Sequence, residues 1–213
     1  MGKKERLVVI GNGMAGVATV EHVLTKSKDM SITILGAEPY TNYNRVLLSS
    51  FLSGEVGPDK IILNPQKWYE ENGIELCLGV SVKKINKKER LVITNKGDAY
   101  PYDKLLIATG SNAFIPPIKG IQNRGNLNQG IFTFRNLDDA KSMISWAQKC
   151  RKAIVIGGGL LGLEAARGLI RQGVEVTVVH LMDRLMDMQL DAAASAILKK
   201  EINKLGINVL LGH

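Results

Sequence analysis

The sequence predicts an α/β protein, because short apolar runs typical of buried strands alternate with helical patterns along its 213 residues. One arrangement carries most of this prediction: a strand, a G-x-G-x-x-G loop and a helix follow one another, and the same order occurs twice. The two loops begin at Gly11 and Gly157, about one domain length apart by the usual ~100–200 residues per domain. The sequence therefore predicts two Rossmann-like dinucleotide-binding domains and two bound dinucleotides.

The first glycine loop follows the apolar run LVVI at residues 7–10 and precedes a helical pattern over residues 15–28. Each glycine has its own role in such a loop: Gly11 permits the tight turn, Gly13 lets the backbone approach a pyrophosphate, and Gly16 lets the helix pack closely on the strand. The diphosphate is then expected on the unpaired N–H groups and the positive dipole end of the helix.

The second loop repeats this arrangement. The strand AIVI at residues 153–156 is followed by Gly157, Gly159 and Gly162 at the same spacing, and a helix is predicted over residues 160–172. Both G-x-G-x-x-G motifs lie between a predicted strand and a predicted helix, which is the order that dinucleotide binding requires. Two strand-to-helix turns that bind no ligand are therefore the less favoured interpretation.

Each unit has a position for the ribose of its dinucleotide at the end of its second strand, where an acidic residue normally binds the ribose hydroxyls. In the first unit the strand SITIL (residues 31–35) is followed by Glu38, which we expect at the adenosine ribose; a turn glutamate is the alternative. In the second unit the strand at residues 174–179 is followed by His180. A carboxylate there favours NAD and an arginine favours the 2′-phosphate of NADP, so His180 decides neither, and nearby Arg184 leaves the choice open.

Two further segments of the first half are predicted to reach a cofactor. Residues 39–54 are rich in turn residues before a short helical segment, and their one fixed cation, Arg45, is expected either to bind a phosphate or flavin edge or to lie on the surface. Residues 102–111 are predicted to form a buried strand that ends in small residues at 108–110, which permit close approach of a nucleotide. The Pro-, Gly- and Asn-rich residues 115–130 mark the best boundary, so we predict domains at residues 1–112 and 113–213.

The other elements are predicted from periodicity and turn residues. They are a short helix at 64–72, a strand at 74–79, two amphipathic strands within 80–94 followed by a hairpin turn at 95–98, a helix at 137–150 with Asn136 as N-cap, a helix at 191–205 and a strand at 207–210. Basic residues cluster on the amphipathic strands: Lys83, Lys84, Lys87, Lys88 and Arg90. A charged outer face is the favoured interpretation, and a docking patch for an acidic electron carrier is the alternative.

Composition and charge exclude several classes of function. The net charge of +8 suits anionic partners, although it is also typical of a solvated basic surface. An aromatic content of only 5%, without interleaved basic residues, argues against nucleic acid as a partner.

No segment has the composition of a signal peptide or reaches the ~18 apolar residues of a membrane span, so we expect a cytoplasmic protein without membrane contact. Cys77 and Cys150 form neither a C-x-x-C pair nor a metal pattern, and Cys77 is expected to be a buried structural thiol.

These residues resemble the two-dinucleotide flavoprotein reductases of the pyridine nucleotide-disulfide oxidoreductase family. The resemblance covers the whole chain, through the first glycine loop, the segment YDKLLIATGS at residues 102–111 and the second loop GGGLLGLE at residues 157–164. Within the family, YNRVLLSSFLSG (residues 43–54) and VTVVHLMDRLMDMQLD (residues 176–191) look most like the N-terminal reductase part of assimilatory-type nitrite reductase [NAD(P)H] large subunits. Ferredoxin and rubredoxin reductases are the next most similar.

The resemblance implies a glutathione reductase-like fold with FAD in the first domain and NAD(P)H in the second. The residues that it implies at FAD are Gly11, Gly13, Ala15, Gly16, Glu38, Arg45, Val82, Thr109, Gly110 and Arg135. Those that it implies at NAD(P)H are Gly157, Gly159, Leu160, Gly162 and Glu164, to which the second ribose position adds His180.

Departures from the family are informative. Disulfide-reducing members carry redox cysteines after the first ribose strand, whereas this segment has Ser49, Ser50 and Ser53, so thiol chemistry is not expected. The lysine that many ferredoxin-reductase relatives carry beside the flavin is replaced by Ser50, which fits the nitrite reductase type better. The sequence lacks the Gly-Asp segment, the dimerisation domain and the siroheme and iron–sulfur segment of longer relatives. We therefore expect a C-terminally truncated chain whose fold a homodimer or a partner chain completes.

The reaction that the resemblance implies is hydride transfer from NAD(P)H to FAD, after which electrons leave singly for an iron–sulfur acceptor. That acceptor is expected to be a siroheme domain, rubredoxin or ferredoxin. Because the cofactor performs this chemistry, we assign no catalytic acid, base or nucleophile and no metal ligand. A rubredoxin or ferredoxin reductase is one alternative, and a truncated nucleotide-binding fragment without activity on its own is the other.

Overall fold

The computed structural model describes residues 4–27, 29–123 and 126–213. The chain divides into two compact units, the first formed by Met1–Asn44 with Ile62–Asn112 and the second by Arg45–Ile61 with Ala113–His213. The segment Arg45–Ile61 thus belongs to the second unit although it comes before the end of the first in sequence. The assignment of FAD to residues 1–112 and of NAD(P)H to residues 113–213 stays a prediction.

Strands and helices alternate through most of the chain. The strands are β1 (Glu5–Ile10), β2 (Met30–Gly36), β3 (Ile74–Leu78), β4 (Val82–Asn86), β5 (Leu91–Thr94), β6 (Ala99–Pro101), β7 (Lys104–Ile107), β8 (Gln122–Asn123), β9 (Asn126–Leu127), β10 (Lys152–Ile156), β11 (Glu175–His180) and β12 (Asn208–Leu211). The helices are α1 (Met14–Lys26), α2 (Leu48–Leu52), α3 (Pro58–Ile61), α4 (Gln66–Glu71), α5 (Leu137–Ala147), α6 (Leu160–Arg171) and α7 (Ala192–Lys204). Each predicted element is present, with ends that differ by a few residues; the predicted end of the first helix, Lys28, lies outside the described residues.

The first unit is built on a four-stranded parallel sheet in the order β3-β2-β1-β7. Residues 7–10 of β1 are at most 6% exposed, because this strand lies between two neighbours and is covered on both faces. Since side chains alternate along a strand, residues 7 and 9 pack with Val20 of α1, and residues 8 and 10 pack with Val92 of β5. This packing fixes the end of β1, where the first glycine loop begins.

An antiparallel meander covers part of the first unit's sheet. Its strands pair in the order β4-β5-β6, so the two strands predicted within residues 80–94 are confirmed and a third follows them. The predicted hairpin turn is formed by residues 95–98, with Gly97 at φ +92 and its N–H donated to the carbonyl of Thr94 (3.2 Å).

The strand predicted at residues 102–111 differs from its prediction. Strand β7 is limited to Lys104–Ile107 and lies at the edge of the sheet, where its only partner among the described strands is β1. Ile107 is consequently 60% exposed. The predicted burial was wrong, because an apolar run does not distinguish a central strand from an edge strand. Cys77, predicted as buried, is likewise only half-buried.

The second unit contains a three-stranded parallel sheet in the order β10-β11-β12. The central strand supplies fully buried Val176 and Val178, which share one core cluster with Leu169 of α6, Ile202 of α7 and Leu185. Strand β10 lies at the edge of this sheet. Helix α6 packs along β10 and β11, so its N-terminus and the glycine loop before it are held at one end of the sheet.

Helix α2 packs on α6 at a glycine. A Cβ at Gly168 would lie only 2.7 Å from Cγ of Leu52, and the Nε2 group of Gln172 donates to the carbonyl of Leu52 at 2.7 Å. This contact explains why Arg45–Ile61 belongs to the second unit. Among the helices that the structure describes, none is long and apolar enough to cross a membrane.

Candidate dinucleotide-binding sites

The first glycine loop contacts the end of β7. Ala108 donates its N–H to the carbonyl of Ile10 (2.8 Å), and Gly11 has φ +112, a conformation that favours glycine. A Cβ at Gly11 would collide with the carbonyl oxygen of Ala108 and lie 3.2 Å from the backbone nitrogen of Thr109. The structure therefore brings this loop together with the small residues at 108–110.

Gly13 and Gly16 have different environments. A Cβ at Gly16 would collide with the carbonyl oxygen of Gly11, so this glycine allows α1 to pack on β1. A Cβ at Gly13 would meet nothing within 4 Å. Gly13 is the N-cap of α1 and provides no side-chain hydrogen bond to its first turn, which includes the exposed Ala15. The open space and the uncapped N–H groups fit a pyrophosphate.

The second residue of the loop, Asn12, is held from two sides. Its Nδ2 group donates to the carbonyl of Tyr40 (3.2 Å), and its Oδ1 atom accepts from the hydroxyl of Tyr69 (2.9 Å). Tyr69 is 0% exposed and also accepts from the backbone N–H of Asn42 (3.2 Å), and burial raises the pKa of its hydroxyl. The sequence analysis missed this support, because its residues are far apart in the chain and match no motif.

Glu38 lies two residues beyond β2, as the sequence indicates. Its carboxylate accepts a hydrogen bond from the hydroxyl of Tyr43 (2.7 Å), and its carbonyl accepts from Gly79 (3.2 Å). Tyr43 is only 5% exposed. The carboxylate is thus oriented by a buried neighbour at the end of the second strand, where a ribose acid is expected.

The remaining residues predicted at FAD are divided between the units. Thr109 and Gly110 are exposed beside the first glycine loop, whereas Val82 is half-buried at the start of β4 and packs with the cluster around Leu35. Arg45 and Arg135 lie in the second unit.

The second glycine loop repeats the geometry of the first. Gly157 has φ +116, and a Cβ at Gly162 would collide with the carbonyl oxygen of Gly157. A Cβ at Gly159, the N-cap of α6, would meet nothing within 4 Å, and this cap provides no side-chain hydrogen bond. The second loop therefore presents the same open, uncapped helix end as the first and fits a second pyrophosphate.

A cleft of about 250 Å³ lies beside the N-terminus of α6, entirely within the second unit. It is lined by Arg45, Val46, Leu48, Ser49, Phe134, Arg135, Leu160, Leu161 and Glu164. The Nη1 group of Arg45 donates to the carbonyl of Arg135 (3.0 Å). The cleft brings together two residues that were predicted at FAD, Arg45 and Arg135, and two that were predicted at NAD(P)H, Leu160 and Glu164.

Arg135 is held in place by the cap of α5. Asn136 is the N-cap, as the sequence predicts, and its Oδ1 atom accepts from the N–H of Asp139 (2.8 Å). The Asp139 carboxylate accepts in return from the N–H groups of Asn136 (3.2 Å) and Arg135 (2.7 Å). This reciprocal pair fixes the backbone on which the Arg135 side chain is carried.

His180 ends β11 next to the second glycine loop. Its Cδ2 atom would lie 2.8 Å from a Cβ at Gly158, so the imidazole ring packs on the loop. Its Nε2 atom lies 3.0 Å from Oδ1 of Asp187, and the two side chains are 13% and 17% exposed. The sequence analysis missed Asp187, because it lies in a loop seven residues beyond the strand, where no ribose-binding pattern is known.

Helix α2 carries Ser49 and Ser50, and Cys77 and Cys150 are free thiols. Among the residues that the structure describes, no group of three or more His, Cys, Asp and Glu side chains is placed to hold a metal ion.

Two glycine loops, each with an open second glycine before an uncapped helix, define an α/β protein with two candidate dinucleotide sites. Residues 5–213 match the Pyridine nucleotide-disulphide oxidoreductase family, and the chain belongs to this family of oxidoreductases. FAD and NAD(P)H, the cofactors predicted from the sequence, are those that this family implies. The resemblance and the fold class that the sequence predicted are thereby confirmed.

Two relatives and one solved structure illustrate the similarity. The chain is 48% identical over 212 residues to nitrite reductase [NAD(P)H] of Bacillus subtilis (strain 168), an alignment that covers 99% of this chain and 26% of that protein. It is 44% identical to the assimilatory nitrate reductase electron transfer subunit of the same organism, covering 98% and 27%. The crystal structure of NADH:rubredoxin oxidoreductase from Clostridium acetobutylicum superposes with a TM-score of 0.88 at 28% identity, covering 99% and 53%. The chain therefore spans about a quarter of the length of these two curated relatives.

Proposed function

We propose that this chain is a module that takes electrons from NAD(P)H through FAD to an iron–sulfur or siroheme acceptor, as part of a nitrite reductase. One observation carries the proposal: each glycine loop leaves open space at its second glycine, in front of an uncapped helix N-terminus. A pyrophosphate is the group that this geometry accepts, and the geometry occurs twice.

The first unit is proposed to hold FAD. Backbone N–H groups at the start of α1 bind the pyrophosphate, and the Glu38 carboxylate, oriented by Tyr43, accepts hydrogen bonds from the adenosine ribose. When bound, FAD supplies the chemistry that accepts a hydride and releases single electrons. The exposed Thr109 and Gly110 beside the loop are proposed to contact the same cofactor.

The second unit is proposed to hold NAD(P)H, with the cleft beside α6 receiving its nicotinamide end. Leu160 and Leu161 are 58% and 54% exposed there and give the cleft an apolar wall that excludes water from a bound ring. Glu164 gives it a polar group that orients the carboxamide. Arg45 and Arg135 also line this cleft, and they are still proposed to contact FAD, as the resemblance implies. No side chain is proposed to transfer a proton or to act as a nucleophile.

The proposed acceptor is a siroheme or iron–sulfur domain. Support comes from the relatives, one named as a nitrite reductase and the other as an electron transfer subunit of nitrate reductase, together with the serines that replace redox cysteines on α2. Since those relatives are about four times as long, the acceptor is proposed to lie in another domain or chain, in the cytoplasm, and a homodimer or a partner chain is proposed to complete the fold.

A reductase for rubredoxin or ferredoxin is the second candidate, favoured by the superposition on NADH:rubredoxin oxidoreductase. Turnover of the purified chain with each isolated carrier separates the two candidates. Reduction of rubredoxin at the rate of a dedicated reductase favours the second.

The deciding experiment follows the flavin absorbance of the purified chain after addition of FAD, removal of free FAD and addition of NADH without oxygen. We expect retained flavin that loses its absorbance with NADH. Gly13→Val should abolish flavin retention, and Gly159→Val should keep the flavin but abolish its reduction, because both positions have open space for a ligand and extended backbone that valine tolerates.

The matched control is Gly57→Val, at an exposed glycine that also has nothing within 4 Å of its Cβ. Flavin that washes away from the unaltered chain would contradict the proposal for this chain alone and would favour a nucleotide-binding fragment. Equal effects of Gly13→Val and Gly57→Val would show that the loop is not the flavin site.

A further inference from the structure

The loop at residues 181–190, between β11 and α7, is held against the second glycine loop. The N–H of Met186 donates to the carbonyl of Gly158 (3.0 Å). Leu185 is 0% exposed, and its Cδ2 atom would lie 2.7 Å from a Cβ at Gly158. Met186 has φ 52, an uncommon conformation for a residue with a side chain, which persists only where the surrounding contacts impose it.

The start of this loop is fixed by the two residues that follow β12. The N–H of Gly212 donates to the carbonyl of Met182 (3.0 Å), and the N–H of His213 donates to the carbonyl of His180 (3.2 Å). The loop thus has backbone anchors on both sides of the position where a ribose is expected. Such anchors make it a rigid support for the side chains that it carries.

Asp187 is the side chain that this support presents at the end of β11. Its Oδ1 atom lies 3.0 Å from Nε2 of His180, and only 17% of its side chain is exposed. A carboxylate can only accept, so Nε2 of His180 carries the hydrogen of this bond and holds the carboxylate in place. No acidic residue directly follows β11, so the loop supplies the carboxylate at this strand end.

Arg184 is the one cation of this loop, and its hydrogen bonds go to Asp183 and to the backbone of Asp187. Arg184 donates to the carboxylate of Asp183 (3.3 Å) and to the carbonyl of Asp187 (3.5 Å), while its buried Nε group has no hydrogen-bond partner among the described residues. The Asp187 carboxylate itself lies against His180, at the strand end where a ribose is expected. A 2′-phosphate brought next to this carboxylate meets repulsion, whereas a 2′-hydroxyl finds an acceptor.

We infer that Asp187 is the ribose carboxylate of the second site and makes NADH, rather than NADPH, the electron donor. The inference rests on the proposed function, because it assumes that the second glycine loop binds NAD(P)H. Asp187 contacts the adenosine ribose, and His180 acts as a positioning residue through its hydrogen bond to Asp187.

The test measures binding of NADH and of NADPH to the full chain by the change in nucleotide fluorescence, without FAD, so that it needs no electron transfer. We expect the unaltered chain to bind NADH at least about tenfold more tightly than NADPH. Asp187→Asn should bring this ratio close to one, chiefly by tightening NADPH binding, and Asp187→Glu should keep a preference for NADH. His180→Ala should lower the ratio, and His180→Gln, which keeps a donor, should restore it.

Asp183→Asn is the matched control, because it removes the same charge from the same loop at a side chain that is 81% exposed. An unaltered ratio in Asp187→Asn, or an equal loss of the ratio in Asp183→Asn, would overturn the assignment of Asp187. If Asp187→Asn does not fold, equal affinity of the unaltered chain for NADH and NADPH would still overturn the assignment of Asp187.

The two proposals fail in different ways. If NADH and NADPH bind equally, the second site stands and the inference about Asp187 falls. If neither nucleotide binds, and Gly159→Val changes nothing, the proposed function of the second unit falls and the inference with it.

Discussion

At the scale of single residues, the two glycine loops share one constraint and differ in another. Gly16 and Gly162 both lie against the carbonyl oxygen of the first glycine of their loop, so neither accepts a Cβ. Gly11 also lies against Ala108 at the end of β7, whereas a Cβ at Gly157 would meet nothing within 4 Å. The first constraint belongs to the strand–loop–helix unit itself, and the second depends on an additional strand beside it.

Tyr100 gives the stability of the chain a dependence on alkaline pH. Its hydroxyl lies 3.4 Å from Sγ of Cys77, and this hydrogen bond, together with burial and the negative charges of Glu75 and Asp98, raises the pKa of Tyr100 to about 12. The ordinary value is 10.0, so above it the unfolded chain releases a proton that the folded chain retains. This contribution to stability is present below about pH 10 and is lost as the pH rises toward about 12.

Denaturant unfolding at a series of pH values between about 8 and 11 checks this prediction. Tyr100→Phe should lose stability less steeply over this range than the unaltered chain. Some dependence remains in the variant, because burial also raises the pKa of Tyr69. Cys77→Ala should move the tyrosinate absorbance titration of Tyr100 toward the ordinary pKa. Identical pH profiles for Tyr100→Phe and the unaltered chain would contradict the prediction.

At the scale of elements, the start of α5 depends on one carboxylate. Asp139 accepts hydrogen bonds from the hydroxyl of Thr133 (3.0 Å) and from the N–H groups of Arg135 (2.7 Å) and Asn136 (3.2 Å). We expect Asp139→Ala to lower the free energy of unfolding by about 1–2 kcal/mol, because these donors lose their acceptor. Urea unfolding followed by circular dichroism measures the change.

Asp139→Asn is the control for the cap of α5. It removes the charge in the first turn of the helix but keeps a side-chain oxygen that accepts the same hydrogen bonds. We expect this replacement to cost less than half as much as Asp139→Ala. Equal losses would mean that charge at the helix end, rather than the hydrogen bonds of Asp139, stabilises this turn.

The strands and helices were predictable from local sequence patterns, but the elements against which each of them packs were not. The glycine spacing and the apolar runs identified β1, α1, β10 and α6, because strands and helices leave local patterns in the sequence. The edge position of β7 could not be predicted, since it depends on which strands pair with it. Membership of Arg45–Ile61 in the second unit follows from the contact of Leu52 with Gly168, two residues that are far apart in sequence.

The residues of the candidate sites also divide into those that local sequence predicts and those that only the folded structure reveals. The residues of both glycine loops, Glu38 and His180 could be named as candidates because strand ends and motifs mark them. Tyr69 was not predicted, because it contacts Asn12 from a distant segment, and Asp187 was not predicted, because only the conformation of the loop after β11 brings it to His180. Which residues orient a predicted ligand-binding group is therefore the part of the site that only tertiary structure supplies.

At the scale of the whole molecule, part of the net charge of +8 comes from exposed lysines in β4 and the turn that follows it. We call these lysines, Lys83, Lys84, Lys87 and Lys88, the basic face. The pairing of β4 with β5 shifts register between Val82 and Lys84, which lets two consecutive lysines of one strand remain exposed. Such a face either keeps the meander from pairing with other strands or attracts an acidic electron carrier.

Salt dependence of electron transfer to an acidic rubredoxin or ferredoxin distinguishes these two roles. If the basic face docks the carrier, the rate of carrier reduction by NADH should fall on the order of tenfold between low salt and ~0.5 M salt, because screening removes the attraction. Replacing Lys83 and Lys84 by Glu should lower the low-salt rate, and the rates of variant and unaltered chain should converge at high salt. Replacing Lys149 and Lys200, which are exposed in the second unit, by Glu makes the same change in net charge and should lower the rate far less. Equal losses in both double variants would mean that only the net charge matters, and the basic face would then serve to protect the edge of the meander.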